Sequence, residues 1–388
     1  MKAVKIIRDP IHGNIRLNQL ELDLLDTPQM QRLRRIKQNG LCHIVYPAMH
    51  SSRFEHSLGV LHLASVMSDH LSLREGESLP LRVAALLHDV GHCAFSHTTD
   101  ELLSEMGHTH EKISCDVIRN SEVTHILEKY DVRPSLVADF VSGKRELGKI
   151  ISSEIDLDRM DYLVRDSYYA GVAYGVIDVE RIISGMRIKN RRLVVDYSSL
   201  EAVELLLISR NMMYETVYRH HTKRIAEFML RHALAYAYES GELLFEKFRY
   251  MDDVDVISLL RCFGGYPTDI ISRLDERRLF KTFSSVKASD LGSRVIRKLR
   301  KDHLKIEGEI GTDFNIEKGY VLLDYPEEKS SEFKIKIDVD GELKSIKEVS
   351  YLARSLERSE KEKIMVSLHA PQEMGKKLKE VKLKDHIN

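Results

Sequence analysis

Residues 84–100 read AALLHDVGHCAFSHTTD, an apolar run that ends in a His-Asp pair and continues into further histidines. The apolar residues from Leu81 to Leu87 predict a buried helix. In a chain of this composition one His-Asp dipeptide is expected by chance, so only the context gives the pair meaning. Burying an unpaired charge costs several kcal/mol, and His88 and Asp89 therefore need partners at the helix end. A metal ion is one partner that suits both side chains.

A metal site at this helix end needs ligands from other parts of the chain. His56 lies near the start of one predicted helix, and Asp158 lies near the start of another. A set of imidazoles and carboxylates suits Fe, Mn, Zn or Mg and does not choose among them. We therefore expect one divalent metal ion, and the candidate ligands are His56, His88, Asp89 and Asp158.

Length and composition limit the class of protein. At 388 residues the chain is long enough for two or three domains, and its 59 basic and 60 acidic residues nearly cancel, which does not indicate a general nucleic-acid binder. Four cysteines without a CxxC pair predict no disulfide framework or zinc ribbon and fit a reducing, cytoplasmic setting. No segment reads as a signal peptide or a membrane span. Basic residues nevertheless cluster at 32–37, 187–192, 219–224 and 297–301.

Turn and periodicity signals predict a mainly α fold. Residues 5–17 predict a small hairpin around a proline and a glycine, and residues 192–197 predict a strand that pairs with 186–189. Helices are predicted over most of the rest up to residue 239. They cover 28–37, 53–71, 81–89, 156–169, 178–186, 200–220 and 222–239, with shorter helices from 98, 109, 121 and 134.

The character of the chain changes after Gly264 and Gly265, which we take as a domain boundary. Residues 266–307 predict charged helix, alternating residues at 320–325 and 333–344 predict edge strands, and the lysine-rich end predicts disorder. We therefore expect three regions: an N-terminal hairpin and arm at 1–20, a helical core at 21–264, and a smaller C-terminal α+β lobe at 265–388.

The predicted helix at 156–169 carries an unusual polar stripe. Asp158, Tyr162, Arg165 and Asp166 stand at positions i, i+4, i+7 and i+8, which lie on one face of a helix. A salt-bridged surface stripe is the alternative interpretation. Because the His-Asp pair also needs a carboxylate, we favour a stripe that faces the metal site.

Two further groups of polar residues could take part in chemistry. His97 and Asp100 are three positions apart, so a helix starting there would let Asp100 orient the imidazole of a catalytic acid or base. On the later helix, Arg210 and Tyr218 fall near helical spacing and suit a phosphate with a sugar or a base. A structural histidine and a tyrosine packed in the core are the alternatives for single residues.

Four ordered motifs together resemble those of the HD-domain phosphohydrolases. They are SRFEHSLG at 52–59, LLHDVGHCAFSH at 86–97, THE at 109–111 and IDLDRMDYLVRD at 155–166. Within that family the chain looks most like the deoxynucleoside triphosphate triphosphohydrolases of the sterile-alpha-motif and HD-domain type. The match runs from about residue 5 to 223, with a weaker echo at RRLFK (277–281), and we expect no sterile-alpha-motif domain.

The resemblance implies hydrolysis of deoxynucleoside triphosphates (dNTPs) to deoxynucleoside and triphosphate, with metal-activated water attacking the α-phosphorus. It implies an HD-domain helical core and the same four metal ligands. Arg53 and His110 would contact the α-phosphate, while His92 and His97 would line the reaction centre with Asp100 supporting His97. His97 would protonate the departing 5′-oxygen. The implied substrate-binding residues are Gln38, Asn39, Arg159, Tyr162, Asp166, Arg210 and Tyr218.

Some positions depart from the family pattern. Arg159 stands where the family often has Lys and keeps the positive charge, whereas Asn39 replaces an apolar residue and leaves the base preference open. Tyr162, packed closely against the sugar, would disfavour a 2′-hydroxyl.

Nucleotide activation of a homo-oligomer, a dimer or a tetramer, is also implied by the resemblance, with GTP or a dNTP as the effector. Asp196 and Ser198 replace basic residues expected in the family and leave the identity of the effector open. The matching effector positions are Lys5, Asp26, Gln31, Arg34, Arg277 and Lys281.

Two other functions stay open. The first is a nucleotidase or phosphodiesterase that acts on another nucleotide or on a single-stranded nucleic-acid end with the same metal ligands. The second is a non-enzymatic regulator that binds a nucleotide or nucleic acid through the basic clusters. The complete ligand set, together with His92, His97 and His110, argues against the second.

Overall fold

The computed structural model of the chain describes residues 2–153, 155–190, 192–325, 335–378, 381 and 383–387, and it gives the backbone alone for residues 97, 105, 360 and 361. The chain forms two units. The first comprises residues 1–218, 245–254 and 332–353, and the second comprises residues 219–244, 255–331 and 354–388. The boundary predicted at residues 264 and 265 lies within the second unit.

The fold is mainly α, as predicted. The described strands are β1 (Lys5–Asp9), β2 (Gly13–Leu17), β3 (Met186–Lys189), β4 (Arg192–Asp196), β5 (Lys281–Lys287), β6 (Leu322–Asp324), β7 (Lys336–Val339), β8 (Glu342–Ser345) and β9 (Met365–Ala370). The described helices up to residue 213 are α1 (Gln19–Leu25), α2 (Pro28–Arg32), α3 (Arg53–His70), α4 (Glu75–Leu87), α5 (Ser96–Glu105), α6 (His110–Asn120), α7 (Glu122–Lys129), α8 (Pro134–Val141), α9 (Leu157–Ala170), α10 (Val179–Gly185) and α11 (Leu200–Met213). The later ones are α12 (His221–Glu239), α13 (Phe245–Phe248), α14 (Asp253–Phe263), α15 (Gly265–Asp275), α16 (Ser293–Asp313), α17 (Ile346–Val349), α18 (Tyr351–Glu362), α19 (Gly375–Leu378) and α20 (Leu383–Ile387).

The predicted N-terminal hairpin is confirmed. Strands β1 and β2 pair antiparallel, with Asp9 opposite Gly13. Gly13 has a φ of +72°, a left-handed conformation that glycine adopts without steric cost. The Asp9 carboxylate accepts the backbone N–H groups of Ile11 at 2.9 Å and His12 at 2.8 Å, which fixes the turn.

Capping side chains determine where two helices of the first unit begin. Ser52 and Glu55 form a capping box at the start of α3, and the Asp156 side chain caps α9. As a result His56 lies in the first turn of α3, and Asp158 lies in the first turn of α9.

The apolar run before the His-Asp pair forms the end of α4, as predicted. Leu81, Val83 and every residue from Ala84 to Leu87 are buried, while the helix itself begins earlier, at Glu75. This helix packs against α3 and α8. The burial of its last two turns places His88 and Asp89 at the edge of the core.

The helix predicted through residue 37 is shorter than expected. Helix α2 ends at Arg32, and a 3₁₀ turn follows it. Beyond that turn the backbone is extended because it pairs with the segment before α3, where the N–H of Gln38 donates to the carbonyl of Ser51 at 2.9 Å. This pairing brings Gln38 and its neighbour Asn39 close to the start of α3.

A four-stranded sheet in the first unit corrects one prediction. The predicted pair β3–β4 is present, and the sheet continues in the order β3-β4-β7-β8. Strands β4 and β7 are parallel, with Val195 opposite Ile337. The hairpin β7–β8 therefore belongs to the first unit and not to the predicted C-terminal lobe, since a parallel pairing of such distant segments leaves no local signal.

The second unit has a three-stranded antiparallel sheet in the order β5-β9-β6. Leu299 of α16 and Leu368 of β9 belong to its apolar core. Strand β5 interrupts the helical segment predicted over 266–307. The disorder predicted for the lysine-rich end is wrong over α19 and α20, because Leu378 and Ile387 are buried in the same core and hold both short helices.

Two sequence features concern the chain as a whole. Among the described helices none combines the length and the apolar character that crossing a bilayer requires. None of the four cysteines forms a disulfide.

Candidate metal centre

Three helix ends of the first unit bring the four candidate ligands together. His56 comes from α3, Asp158 comes from α9, and His88 and Asp89 directly follow α4. The Nε2 atom of His56 lies 2.8 Å from Asp158 Oδ1 and 3.7 Å from Asp89 Oδ2. The Nε2 atom of His88 lies 3.2 Å from Asp89 Oδ1 and 3.7 Å from Asp158 Oδ1. His56, His88 and Asp158 thus each bring one ligand atom to within 4.8 Å of the others, and the Asp89 carboxylate lies beside both histidines.

Hydrogen bonds on the outer sides of the two imidazoles fix their tautomers. His56 Nδ1 lies 2.7 Å from Asp161 Oδ2, and His88 Nδ1 lies 2.8 Å from the carbonyl oxygen of Ala85. Because both partners are acceptors, each Nδ1 carries a proton, and in the neutral form of each imidazole Nε2 presents its lone pair to the space between the ligand atoms.

Both Nε2 atoms are buried and make no hydrogen bond to any described residue, although Asp158 lies close to them. A buried polar atom without a partner is rare and calls for an explanation. A divalent cation would accept both lone pairs and neutralise the two carboxylates. His56, His88, Asp89 and Asp158 therefore fit a metal ion in donor type, and the ligand atoms of His56, His88 and Asp158 lie close enough together to bind one ion.

Burial and neighbouring charges shift the pKa values of His56 and Asp89. Burial lowers the pKa of His56, but Asp158 and Asp161 outweigh it and raise that pKa to about 10. Burial raises the pKa of Asp89, but Arg53 and His88 outweigh it and hold that pKa well below its usual range. A metal ion would have to displace the proton from His56, so we expect metal affinity to fall as the pH is lowered.

Arg53 is held against the centre from two sides. Its Nη1 donates to Asp89 Oδ2 at 2.5 Å, and its Nε donates to the Ser96 hydroxyl at 2.8 Å. Phe95, the residue before Ser96, has a φ of +52°, which is strained for a residue with a side chain. The Asp253 carboxylate holds this strained loop by accepting the Phe95 N–H at 2.8 Å, and it accepts the Lys37 N–H at 2.9 Å.

Arg32 stabilises the loop after the His-Asp pair. Its guanidinium donates to the carbonyls of Val90 (3.1 Å), His92 (2.7 Å) and Met251 (2.9 Å). Sequence reasoning missed both Arg32 and Asp253. The basic cluster at 32–37 and the Asp252-Asp253 pair before a helix were the available signals, but neither indicates which backbone groups they bind.

A second group of ionisable residues lies beside the centre. The rings of His92 and His110 stack at 4.0 Å, His92 Nε2 lies 3.3 Å from Asp89 Oδ1, and His110 Nδ1 lies 3.8 Å from Asp100 Oδ1. Burial, Arg53 and His110 lower the pKa of His92 well below its usual value. Burial lowers the pKa of His110, but Asp100 outweighs it and raises that pKa.

His97 lies in α5, but its side chain is outside the described residues. The predicted support of His97 by Asp100 therefore stays a prediction. The described partner of the Asp100 carboxylate is His110.

A cluster of aromatic and polar side chains, which we call the aromatic cluster, follows along α9. The Tyr218 hydroxyl donates to Asp166 Oδ2 at 2.7 Å, and the rings of Tyr162 and Tyr218 meet edge to face at 6.2 Å. Burial raises the pKa of Asp166 to about 6, against the opposite effect of the Asn39 amide and the Tyr218 hydroxyl. The buried Arg210 guanidinium lies 4.4 Å above the Tyr214 ring.

A change of helix type positions the last tyrosine of this aromatic cluster. The helix predicted over 200–220 ends as α-helix at Met213, and residues Tyr214–Tyr218 form a π-helix. A π-turn shifts the residues that follow it around the helix axis and is frequent at functional sites. The sequence gives no signal for it.

The predicted stripe on α9 divides into two sides. At about 100° per residue, Asp161 and Arg165 lie roughly 60° and 20° to one side of Asp158, whereas Tyr162 and Asp166 lie roughly 40° and 80° to the other. The interpretation of Arg165 as facing the metal site is wrong. Its fully buried guanidinium binds Asp161 and Asp9, because these two carboxylates need a cation in the core.

Arg159 and the six candidate effector positions complete the set of predicted residues. Arg159 donates to the carbonyl of Ser153 at 3.1 Å and is half-buried. Of the six candidate effector positions, Lys5, Asp26, Gln31 and Arg34 belong to the first unit, and Arg277 and Lys281 belong to the second. All of them except the half-buried Gln31 are exposed.

Comparisons with known proteins agree with this geometry. A family model described as HD domain matches residues 53–166, which contain all four candidate ligands, and a model described as HD associated region matches residues 177–388. The chain belongs to the HD-domain phosphohydrolase family. Membership of this family makes the protein a metal-dependent hydrolase.

Relatives of this HD-domain phosphohydrolase come from distant organisms. A Methanocaldococcus jannaschii protein is 36% identical over 394 residues, which cover 99% of this chain and 83% of that protein. The human deoxynucleoside triphosphate triphosphohydrolase SAMHD1 is 29% identical over 277 residues (60% and 44% of the two chains), and its Dictyostelium discoideum homolog is 32% identical over 257 residues (61% and 50%). The chain therefore spans about half the length of these triphosphohydrolases.

A solved structure covers nearly the whole chain. The phosphohydrolase from Bacteroides thetaiotaomicron has a TM-score of 0.77 and 28% sequence identity, and the match covers 95% of this chain and 100% of that one. The similarity extends over both units, beyond the HD domain alone.

Proposed function

We propose that this HD-domain phosphohydrolase converts dNTPs to deoxynucleoside and triphosphate. The observation that carries the proposal is the course of α9, which bears Asp158 at the candidate metal centre and Asp166 in the aromatic cluster two turns later. The two positions are about 12 Å apart along the helix axis at 1.5 Å per residue. This length accommodates an α-phosphate at one end and a nucleoside at the other.

Buried acceptor atoms support a sugar at the second end. Asp166 Oδ1 and Gln38 Oε1 have no hydrogen-bond partner among the described residues. A sugar hydroxyl would donate to such an acceptor, and the Tyr162 and Tyr218 rings, which meet edge to face, would pack against the sugar. A close wall at Tyr162 would disfavour a 2′-hydroxyl, which favours deoxyribose. Two relatives whose names include deoxynucleoside triphosphate triphosphohydrolase support the same substrate class.

Cationic groups support phosphates at the first end. His56, His88, Asp89 and Asp158 would hold a divalent ion, which would supply Lewis-acid stabilisation of the phosphate and activation of water. Arg53, fixed by Asp89 and Ser96, would stabilise charge that develops on the α-phosphate without having to reorganise.

The remaining catalytic and substrate roles follow the resemblance. His110 would contact the α-phosphate beside His92, and His97 would protonate the departing 5′-oxygen. Arg159 would supply positive charge for the phosphates, and Arg210 and Tyr218 would close the substrate site. Asn39, next to Asp166, would face the nucleoside.

We further propose a homo-oligomer, dimer or tetramer, that binds GTP or a dNTP as an activator. The position of Arg34 supports this role. Its guanidinium lies 3.6 Å above the Phe54 ring and donates to Gln31 at 2.8 Å. These two contacts hold a planar cation at the surface. The other effector candidates are Lys5, Asp26, Arg277 and Lys281. Sedimentation with and without GTP or a dNTP tests this, and a monomer that never changes would contradict it.

Product identification tests the proposed reaction. The metal-loaded protein is incubated with each dNTP, with and without GTP, and the phosphorus products are identified by ³¹P NMR. Intact triphosphate and deoxynucleoside are expected. Orthophosphate or a nucleoside monophosphate would indicate a nucleotidase or a phosphodiesterase instead.

The double variant His88→Ala, Asp89→Ala should be inactive, while His70→Gln, at the far end of α3, should behave like the unaltered protein.

A further inference from the structure

Asp161 links the metal ligand His56 to the N-terminal hairpin. One carboxylate oxygen, Oδ2, lies 2.7 Å from His56 Nδ1, and the other, Oδ1, lies 2.6 Å from His12 Nε2 in the hairpin turn. Asp161 is itself completely buried. A single carboxylate therefore bridges two imidazoles from segments far apart in the sequence.

Arg165 locks this bridge from a third direction. It donates to both oxygens of Asp161 at 2.9 Å, and its Nη1 donates to Asp9 Oδ2 at 2.8 Å. The other oxygen of Asp9 accepts the backbone N–H of His12 at 2.8 Å. The hairpin turn is thus fixed by the same guanidinium that fixes Asp161.

Helix α3 approaches Asp161 and Arg165 closely at Gly59. A Cβ atom on Gly59 of α3 would lie 1.8 Å from Asp161 Oδ1 and 2.5 Å from Arg165 Nη2, so only glycine permits this approach. His56 is completely buried, and the Asp9 side chain is nearly so. Displacement of the turn would therefore move Asp161, and with it the ring of His56.

We propose that Asp161, His12 and Asp9 are positioning residues that set the affinity of the metal centre through His56. Asp161 keeps the proton on Nδ1, orients the ring and makes Nε2 a stronger donor to a cation. His12 and Arg165 hold Asp161 in the orientation that does so. The N-terminal hairpin is then part of the metal centre, although it supplies no ligand. The inference rests on the proposed ligands and is independent of the nucleotide substrate.

The test measures binding of Mn²⁺ alone to the 388-residue chain after removal of metal with a chelator. We expect isothermal titration calorimetry to show about 10- to 100-fold weaker binding for Asp161→Asn and a smaller loss for His12→Ala. His12→Gln keeps an N–H donor for Asp161 and should recover part of the affinity. His70→Gln is the matched control: its ring also bonds one carbonyl, that of Met186 at 2.9 Å, and its dissociation constant for Mn²⁺ should be unchanged.

Thermal unfolding of the metal-free variants separates this role from a merely structural one. A purely structural role would lower the melting temperature and leave the Mn²⁺ affinity of the folded protein unaltered, and that result for both His12→Ala and Asp161→Asn would overturn the inference. If Asp161→Asn does not fold, the Mn²⁺ affinities of folded His12→Ala and His12→Gln are compared instead. Weaker binding by His12→Ala supports the inference, and unaltered binding overturns it. Weakened Mn²⁺ binding in a protein that hydrolyses no dNTP would support this inference and refute the proposed substrate.

Discussion

Buried histidines meet carboxylates in both units, and the two clusters differ in how completely their hydrogen bonds are satisfied. In the second unit His232 uses both ring nitrogens, with Nδ1 2.9 Å from the carbonyl of Phe228 and Nε2 2.9 Å from Glu307 Oε2. In the first unit His56 and His88 each bond through Nδ1 and leave Nε2 without a hydrogen bond to any described residue.

This difference separates a structural pair from a binding site. Glu307 also accepts the Leu323 N–H at 2.7 Å, so the cluster in the second unit is complete without a ligand. Unsatisfied nitrogens beside two carboxylates are costly in a buried place unless a cation binds them. In this protein, a buried histidine beside a carboxylate therefore indicates a metal centre when Nδ1 has a hydrogen bond and Nε2, which faces the carboxylates, has none.

The largest expected effect is the loss of activity on removing a ligand from the first cluster. His88→Ala should lower kcat/KM for a dNTP by at least about 10³-fold, because several kcal/mol of transition-state stabilisation depend on the metal. It should also abolish stoichiometric metal, measured by mass spectrometry of the purified protein. Full activity with full metal content would contradict the assignment of His88.

The equivalent change in the second cluster should affect stability instead. His232→Ala leaves Glu307 buried without its main partner, which should cost about 3–5 kcal/mol in the free energy of unfolding, measured with urea. The kcat/KM of the folded variant should be unchanged. A stable variant with greatly reduced activity would show that the two clusters do not differ as we infer.

Asp166 should have a smaller effect, confined to substrate binding. Asp166→Asn should raise KM by roughly 10- to 100-fold, the equivalent of about 1.5–3 kcal/mol for a hydrogen bond to a charged acceptor. The pKa of Asp166, raised by burial to about 6, predicts protonation as the pH falls below that value. The KM of the unaltered protein should therefore rise below pH 6 at saturating metal, and the variant should lack this rise.

The smallest predicted effect concerns the hydroxyl that bonds Asp166. Tyr218→Phe removes a donor at 2.7 Å, which should cost about 1 kcal/mol in substrate binding and raise the pKa of Asp166 further. The acid limb of the KM profile should then move to higher pH, whereas Tyr236→Phe, in the second unit, should leave it in place. An unshifted limb in Tyr218→Phe would mean that Asp166 does not control the profile.

Much of the first unit follows from local sequence. The apolar run of α4, the capping box of α3 and the Asp156 cap of α9 are short signals, and together they place the four candidate ligands at helix ends. The residues around the ligands could not be predicted in this way. Asp253 binds the backbone of Lys37 and Phe95, and no pattern within a few residues of Asp253 indicates those partners.

The sequence by itself determined the mainly α class, the N-terminal hairpin and which imidazoles and carboxylates were candidates for a metal. Only the tertiary structure decided that Asp161 bonds His56, that Arg165 binds Asp9 instead of facing the site, and that β7 joins β4. The physical reason is the distance along the sequence over which each effect acts. Helix periodicity and capping act over a few residues, whereas the partner of a buried ring nitrogen or guanidinium is whichever group the packed core brings next to it.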